Sequence, residues 1–264
     1  AASAAAVRVA QAAVASSRAS LFPTVNIGAN ATRAVAQPGG SPATTVGAQA
    51  ALANWEIDLW GRIAASVDAA DARFQASRHT LAATRLSLQA SLAQTYFALR
   101  SSEAVAQLLD QTLEAYATSL RLTENRYQAG VASAADVAQA QTQLQSTRAQ
   151  RLEVQIQRQQ LENALATLVG QPAAAFRLSG DRVAQVPTAP AVPPQLPAQL
   201  LARRPDIAAA AAQVQAAAAQ VGAAQAALLP AVTLTASGGF RNSTLGGLLS
   251  SGQSVWSLAP NLAW

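Results

Sequence analysis

Tyr127-Gln128-Ala129-Gly130-Val131-Ala132-Ser133-Ala134-Ala135-Asp136-Val137 decides how this chain is organised. It lies between two long segments that both read as helix. Gly130 suits the position just past a helix C-terminus, where the backbone turns left-handed and a Cβ would clash. Ser133 is a good N-cap, and Asp136 stands three residues later at the capping-box position, with aspartate in place of the usual glutamate. A carboxylate there also faces the positive end of the new helix dipole. One helix therefore stops and the next starts within about three residues, the interval these caps allow. The result is a tight helical hairpin with a short, polar tip built from small residues.

Outward from the tip the pattern is helical for a long way. No proline or glycine interrupts the chain from about Ile63 to about Gln128. Val67, Phe74, Leu81 and Leu88 recur every seven residues; the seam then steps by four to Leu92, Leu99, Ala106, Leu113, Leu120 and Tyr127. A heptad period this long predicts coiled-coil-like packing. At ~1.5 Å rise per residue the helix would be roughly 100 Å long. After the tip a second helix is expected from about Ala134 to Val169, with Val154, Leu161 and Leu168 on a heptad and Gly170-Gln171-Pro172 as its stop. The single histidine, His79, falls inside the long helix, where a structural role is the default.

On the N-terminal side, Val7, Val14 and Leu21 share a helical spacing that Pro23 ends. From Thr24 the period becomes two. Val25, Ile27, Ala29 and Ala31 fall on one face, and Thr24, Asn26, Gly28, Asn30 and Thr32 on the other, which predicts a two-faced strand. Gln37-Pro38-Gly39-Gly40-Ser41-Pro42 is a turn signal. The second strand carries Val46, Ala48, Ala50 and Leu52 against Thr45, Gly47 and Gln49, and is expected to end at Trp55. Both strands read as about ten residues, enough to cross a bilayer when tilted. Trp55-Glu56-Ile57-Asp58-Leu59-Trp60-Gly61-Arg62 leads into the long helix. Its tryptophans fit either an aromatic girdle at a membrane surface or core packing at a strand–helix junction. Glu56 and Asp58 could form a catalytic acid pair, but no second polar cluster accompanies them, and a junction role is expected.

Beyond the second helix, Pro172, Pro187, Pro190, Pro193, Pro194 and Pro197 mark an irregular connection. Leu196-Pro197, Leu200-Leu201 and Arg203-Arg204-Pro205-Asp206-Ile207 then open another helix, with Pro205 in its first turn and Asp206 complementing its dipole. From here the chain repeats its beginning at an offset of 207. Val7, Val14, Leu21 and Pro23 correspond to Val214, Val221, Leu228 and Pro230; Val25 and Ile27 correspond to Val232 and Leu234. Thr233, Thr235 and Ser237 restate the polar face. A loop from Arg241 to Gln253 leads to a last strand whose Trp264 stands where Trp55 stands in the first copy. The repeat is an internal duplication rather than a solenoid unit, and its second copy is expected to stop before a second helical hairpin.

Composition narrows the function. Only 12% of residues are charged and 51% are hydrophobic, much of that alanine, as close-packed long helices require. The 18 basic residues are all arginine and give a net charge of +5. They are dispersed apart from Arg203-Arg204, which argues against a nucleic-acid surface. Without cysteine there is neither a disulfide nor a thiolate metal site in this chain. No metal, cofactor or catalytic set is expected, and the protein is not read as an enzyme. No secretory signal opens the chain. The uncharged run Ile207 to Leu229 carries Gln213, Gln215, Gln220 and Gln225 and is read as too weakly apolar for a lipid-facing helix. Two β-hairpins with an apolar face give four strands, too few to close a barrel, and an open sheet edge is not tolerated in lipid. Several chains must pool their strands.

Three stretches resemble the outer-membrane channel components of tripartite efflux pumps, the TolC-like and OprM-like family that includes the NodT-type lipoproteins. They are Trp55 to Arg62; Arg126 to Val137, continuing into Ala140-Gln141; and Leu196-Pro197 through Arg203-Arg204-Pro205-Asp206-Ile207 to Val221-Gly222-Ala223-Ala224 and Leu229-Pro230. The resemblance covers essentially the whole chain, as a truncated fragment of the family's length. It implies an α+β membrane protein: long antiparallel helices of a trimeric periplasmic α-barrel, plus two β-hairpins contributed to a shared outer-membrane β-barrel. The implied layout is the end of a periplasmic helix over 1–22, a first transmembrane β-hairpin over 23–56, and a long helical hairpin over 57–169 with its tip near 129–133. An irregular equatorial segment over 170–197, a helix of the second repeat over 198–229 and a second transmembrane β-hairpin over 230–264 follow.

The implied function is a passive exit duct in the bacterial outer membrane, with its helices in the periplasm. It would carry drugs or other small molecules delivered by an RND-type inner-membrane transporter through a periplasmic adaptor. Outer-membrane lipid and two further copies of the chain are the other implied partners. The adaptor contact would fall on Tyr127, Gly130, Val131, Ala132, Ser133 and Asp136, and the membrane-interface girdle on Trp55, Trp60, Trp256 and Trp264. The charged ring that closes the family's entrance belongs to the second helical hairpin, so no gating residue is assigned. Nor is lipidation, because the family's lipobox cysteine is not in the chain. Alanines after Ile207 replace the glutamate often found there. The alternative is a non-conducting coiled-coil or envelope-spanning interaction protein; the polar face carried by Thr24, Asn26 and Asn30 argues against it.

Overall fold

The structure is a computed structural model that describes residues 2–35, 41–178, 191, 200–201, 203–248 and 254–264. The turn residues Gln37 to Gly40, the prolines Pro187, Pro190, Pro193, Pro194 and Pro197 with Leu196, and the end of the Arg241 to Gln253 loop lie outside the described residues. The elements in chain order are α1 (Ala2–Ala19), β1 (Val25–Ala34), β2 (Ala43–Ile57), α2 (Arg62–Gln128), α3 (Ala134–Val169), α4 (Pro205–Ala226), β3 (Ala231–Asn242) and β4 (Ser254–Ala263). They form two compact units, Ala1–Ala83 with Leu196–Trp264, and Thr84–Gln195.

In the first unit the four strands make an antiparallel sheet in the order β1-β2-β3-β4, so each strand pairs with its sequence neighbour in the sheet. Register follows the alternation of side chains. Val25 pairs with Leu52, Ile27 with Ala50, Ala29 with Ala48 and Ala31 with Val46, which keeps the apolar set of β1 beside that of β2. A one-residue slip would send each of these side chains to the other face. The β2–β3 pairing joins the first hairpin to the second, with Leu52 opposite Ala236 and Ala48 opposite Phe240.

Strand β2 has 15 residues and runs through Trp55 to Ile57, longer than the ten-residue strand ending at Trp55 that the sequence suggests. A β-bulge contributes one of the extra residues: the register shifts between Leu52 and Trp55, where two β2 residues stand against Thr235 alone. Within the bulge Asn54 adopts φ 41°, a left-handed conformation that asparagine tolerates better than most residues. The extra residue resets the alternation, so Trp55 and Ile57 join Leu52 on the apolar face and Glu56 turns to the polar one.

The helix expected from 198 is interrupted at Arg204: Leu200, Leu201 and Arg203 are helical, and Arg204 is the extended N-cap residue from which α4 starts at Pro205. By length and a mean hydropathy of 1.2 it is apolar enough to cross a membrane, contrary to the sequence reading. Alanine supplies that hydropathy, and Ala209, Ala212 and Ala216 are buried along one stripe of the helix, the arrangement of a packed helix face.

In the second unit α2 from Thr84 onward and α3 form the helical hairpin. Leu99, on the expected seam, is wholly buried, with Leu144, Leu165 and Ala166 in the same core. Leu88 and Tyr127, placed on that seam by their spacing, are half exposed. Two arginines reach across from α3: Arg158 Nε donates to Glu103 Oε1 at 3.0 Å, and Arg151 Nε to Asp110 Oδ1 at 2.7 Å. Seven residues separate the two acids on α2 and the two arginines on α3, so these pairs repeat with the heptad. Glu162, buried, also takes Arg158 Nη1 at 3.1 Å and the Leu178 N–H at 3.0 Å, which fastens the chain beyond α3 to the hairpin.

Candidate functional site

Three places carry features beyond packing: the two faces of the sheet, the junction between β2 and α2, and the tip between α2 and α3. One sheet face holds Val25, Ile27, Ala29 and Ala31; Val46, Ala48, Ala50, Leu52, Trp55 and Ile57; Val232, Leu234, Ala236 and Phe240; and Trp256, Leu258, Pro260 and Leu262. Polar residues interrupt it only toward the loops, at Arg33, Thr44, Asn242 and Ser254. Toward its edges this face is bare in the single chain, with Ile27 87% and Trp256 81% exposed, while Val46, Leu52, Trp55, Ile57, Val232 and Leu234 in the middle strands are half-buried. The opposite face carries Asn26, Asn30, Thr32, Thr45, Gln49, Glu56, Thr233, Thr235, Ser237, Arg241, Ser257 and Asn261, and there the hydroxyls of Ser237 and Ser257 bond across β3 and β4 at 2.8 Å. A sheet with one continuous apolar face and one polar face can separate lipid from water. The strands β1 and β4 are its edges.

At the junction, the candidate acid pair is fully engaged in structure. Glu56 holds Arg62 in a two-pronged bond, Nε to Oε1 at 2.8 Å and Nη2 to Oε2 at 2.6 Å. The hydrogen bond to Glu56 raises the Arg62 guanidinium above its ordinary pKa. Asp58 accepts the Ile63 N–H at 3.0 Å and the Ala64 N–H at 2.8 Å, satisfying two of the orphan donors that begin α2. Gly61, at φ +74°, makes the turn between them.

Three of the four candidate girdle tryptophans lie at the helix-side end of the sheet, and each indole N–H donates to a backbone carbonyl. Trp55 reaches Leu21 O at 3.2 Å, Trp264 reaches Leu228 O at 3.3 Å, and Trp60 reaches Pro230 O at 2.7 Å. Leu21 and Leu228 are equivalent in the repeat, so the duplication extends to a hydrogen bond. The fourth, Trp256, is not brought together with them: seven strand residues from Ala263, it stands ~23 Å away along β4 at ~3.3 Å per residue.

At the tip, α2 ends in a Schellman motif: Gly130 N–H to Tyr127 O at 3.0 Å and Val131 N–H to Arg126 O at 2.9 Å, with Gly130 at φ +77°. Helix α3 opens with a reciprocal capping box. Ser133 Oγ accepts the Asp136 N–H at 3.2 Å, and Asp136 Oδ2 accepts the Ser133 N–H and hydroxyl, both at 2.8 Å. These bonds, the backbone one first, hold the exposed Asp136 carboxyl below the usual aspartate range. Of the six candidate contact residues, Tyr127, Gly130, Val131, Ser133 and Asp136 are exposed and Ala132 is half-buried. Val131 is 77% exposed. Beside the tip, Tyr116, Ser119 and Thr123 of α2 and Gln139 and Gln143 of α3 line a polar groove that reaches Asp136. Sequence reasoning missed this groove, although its hydroxyl and amide residues recur at three- and four-residue spacings.

Comparison with known proteins agrees with this geometry. The family described as outer membrane efflux protein matches residues 1–171 and 196–264. The probable efflux pump outer membrane protein TtgC of Pseudomonas putida is 33% identical over 256 residues, 93% of this chain and 52% of TtgC. The outer membrane protein OprJ of Pseudomonas aeruginosa is 32% identical over 220 residues, 80% of this chain and 44% of OprJ. Among solved structures, the outer-membrane channel OprN superposes with a TM-score of 0.88 at 31% identity, over 99% of this chain and 60% of that one. The open MtrE channel of Neisseria gonorrhoeae does so with a TM-score of 0.85 at 31% identity, over 99% and 59%. The chain spans about half the length of the curated relatives it matches. Two-faced sheet, long helical hairpin and these likenesses together assign the chain to the outer membrane efflux protein family.

Proposed function

We propose that the full-length protein is the outer-membrane exit duct of a tripartite efflux pump, a passive channel formed by three copies of the chain. The sheet carries this reading: four strands with one apolar and one polar face, ending in two open edges. In lipid such edges must be paired, and four strands are too few to close around water. Pooling the strands of three copies gives a twelve-stranded barrel whose polar residues line the pore. The layout follows the same logic, with the hairpins β1–β2 and β3–β4 in the membrane and the helices in the periplasm. Trp55, Trp60 and Trp264 would form the periplasm-side girdle and Trp256 the opposite one. The tip residues Tyr127, Gly130, Val131, Ala132, Ser133 and Asp136 would receive a periplasmic adaptor linked to an RND-type transporter. Catalysis has no part in this function.

The deciding experiment is detergent extraction of the full-length protein from the outer-membrane fraction, followed by mass measurement of the assembly. A trimer that resists heat in its barrel portion is expected. A monodisperse, water-soluble monomer would overturn the proposal.

A further inference from the structure

The sheet is almost free of charge, and what charge it has is of one sign. Between Thr24 and Trp55, and between Pro230 and Trp264, the only charged side chains are Arg33 and Arg241, loops included. Both stand at the loop end of the sheet, and the register puts them on opposite faces. Arg33 pairs with Thr44 at the margin of the apolar face. Arg241 pairs with Gly47, which on its other side pairs with Asn30, so Arg241 belongs to the polar face, where it is exposed. Its surroundings leave the guanidinium unopposed. Gly47 beside it and Gly239 two residues before it carry no side chain. Asn30 and Gln49, the polar groups nearest in the register, are neutral. The nearest acid on this face is Glu56, opposite Thr233, eight residues along β3 and ~26 Å away at ~3.3 Å per residue. Arg62 already holds that carboxylate through two bonds. Among the described residues no ion pair engages Arg241.

We infer that the outer end of the pore carries a ring of guanidinium groups, one Arg241 from each copy, that favours the passage of small anionic solutes bearing a carboxylate or phosphate. The inference rests on the pore proposed above. An arginine side chain keeps its charge at every physiological pH and matches carboxylate and phosphate oxygens two at a time. Like charges around a water-filled passage with low-dielectric walls focus their field into it, and rings of basic side chains are a means of selecting anions. The amides and hydroxyls of Asn26, Asn30, Gln49, Thr233 and Ser237 on the same face offer hydrogen bonds to a solute without cancelling the charge. Arg33 has the same charge on the other face, where it meets lipid rather than the pore, and so serves as the internal control.

The chain has no cysteine, so a single introduced thiol can report the local potential. Gln49 lies diagonally across from Arg241 on the same face, ~7–8 Å away. The full-length protein with Gln49→Cys, in phosphatidylcholine vesicles at low salt, where screening is weakest, would be labelled with an anionic (sulfonatoethyl) and a cationic (trimethylammonioethyl) methanethiosulfonate. The readout is the ratio of anionic to cationic labelling rate, divided by the same ratio for a free thiol. With Arg241 in place this quotient should exceed one; a value of one or below overturns the ring whether or not any further variant assembles. A unit charge ~7–8 Å away in water alters the two rates by roughly 2.5-fold in opposite senses, so adding Arg241→Gln should lower the quotient roughly sixfold. Adding Arg241→Lys or Arg33→Gln should leave it unchanged. An unchanged quotient in an assembled Arg241→Gln protein, or an equal fall with Arg33→Gln, overturns the ring and spares the pore. If neither reagent labels the thiol, the polar face meets no water, and the proposed function falls with the ring.

Discussion

The junction at Trp55 to Arg62, where α2 starts, and the tip at Arg126 to Asp136, where it stops, use the same backbone chemistry for different purposes. Each turns through a glycine in the left-handed region, at φ +74° for Gly61 and +77° for Gly130. Each starts a helix with an aspartate that accepts backbone N–H groups. At the junction the remaining side chains are tied down: Glu56 grips Arg62, and Trp55 and Trp60 bond the carbonyls of Leu21 and Pro230. At the tip, Ser133 and Asp136 satisfy each other, while Tyr127 and Val131 make no such bond and stand exposed. The first is a fixed joint between strand and helix. The second is a turn that holds its own shape and keeps its outer surface free.

Placing valine at the two glycines breaks both turns by one mechanism and so tests what each supports. A β-branched residue at positive φ costs ~1–2 kcal/mol or more. Gly61→Val is expected to reduce the amount of assembled, heat-resistant protein in the outer membrane. Gly130→Val is expected to leave assembly at wild-type level, since no tip residue belongs to a strand, and to weaken adaptor cross-linking. Semi-native gel mobility and cross-linking yield, measured on both variants, read the contrast. Equal loss of assembly in the two would erase the distinction between joint and turn.

The caps come next in size. Asp58→Ala removes the acceptor of two N–H groups and is expected to cost ~1–2 kcal/mol, while Ser133→Ala removes one and should cost ~1 kcal/mol. Hydrogen exchange at the first turns of α2 and α3 is the measurement. A larger loss of protection at α3 than at α2 would contradict the bond count.

Acid has a still smaller effect, and it falls on the tip. The Asp136 pKa is lowered in the folded state, chiefly by the Ser133 N–H. The cap is thus fully present above the unfolded aspartate value of 3.8. It is lost as pH falls through the lower folded one. Exchange at the start of α3 should accelerate only below that range, and Asp136→Asn should remove the pH dependence. An unchanged acid response in Asp136→Asn would mean that another group is responsible.

The same comparison separates what sequence could reveal from what it could not. Gly130, Ser133 and Asp136 were legible because capping is local: each donor and acceptor lies within a few residues. The ends of α2 and α3 were legible for the same reason. Strand faces were readable from alternation up to Leu52. Beyond it the bulge at Asn54 resets the alternation, and a bulge is defined by the partner strand, here Thr235, rather than by local spacing. The carbonyls that Trp55, Trp60 and Trp264 bond lie 34, 170 and 36 residues away, too far for any motif to show. The pairs Glu103–Arg158 and Asp110–Arg151 were hidden in the same way: each partner looks like an ordinary charge on its own helix, and only the hairpin geometry matches them.

Val131→Asp should have the smallest effect on structure and is the sharpest probe of the tip. Val131 lends its backbone N–H to Arg126 O, a bond any non-proline residue can make, and its side chain is 77% exposed. Surface replacements away from caps and cores shift stability by ~0.5 kcal/mol or less. The turn, the capping box and the assembly should therefore be unchanged, as exchange protection at α3 and gel mobility would confirm. What changes is the outer surface. A carboxylate replaces an apolar side chain one residue past the glycine, beside the exposed Tyr127. If the adaptor docks on this surface, the new charge must be desolvated on contact, and an unpaired buried charge is costly. Cross-linking to the adaptor and drug export should then both fall in a full-length background with normal trimer levels. Wild-type cross-linking and export in Val131→Asp would show that the tip needs only to turn, and that the adaptor is held elsewhere along α2 and α3.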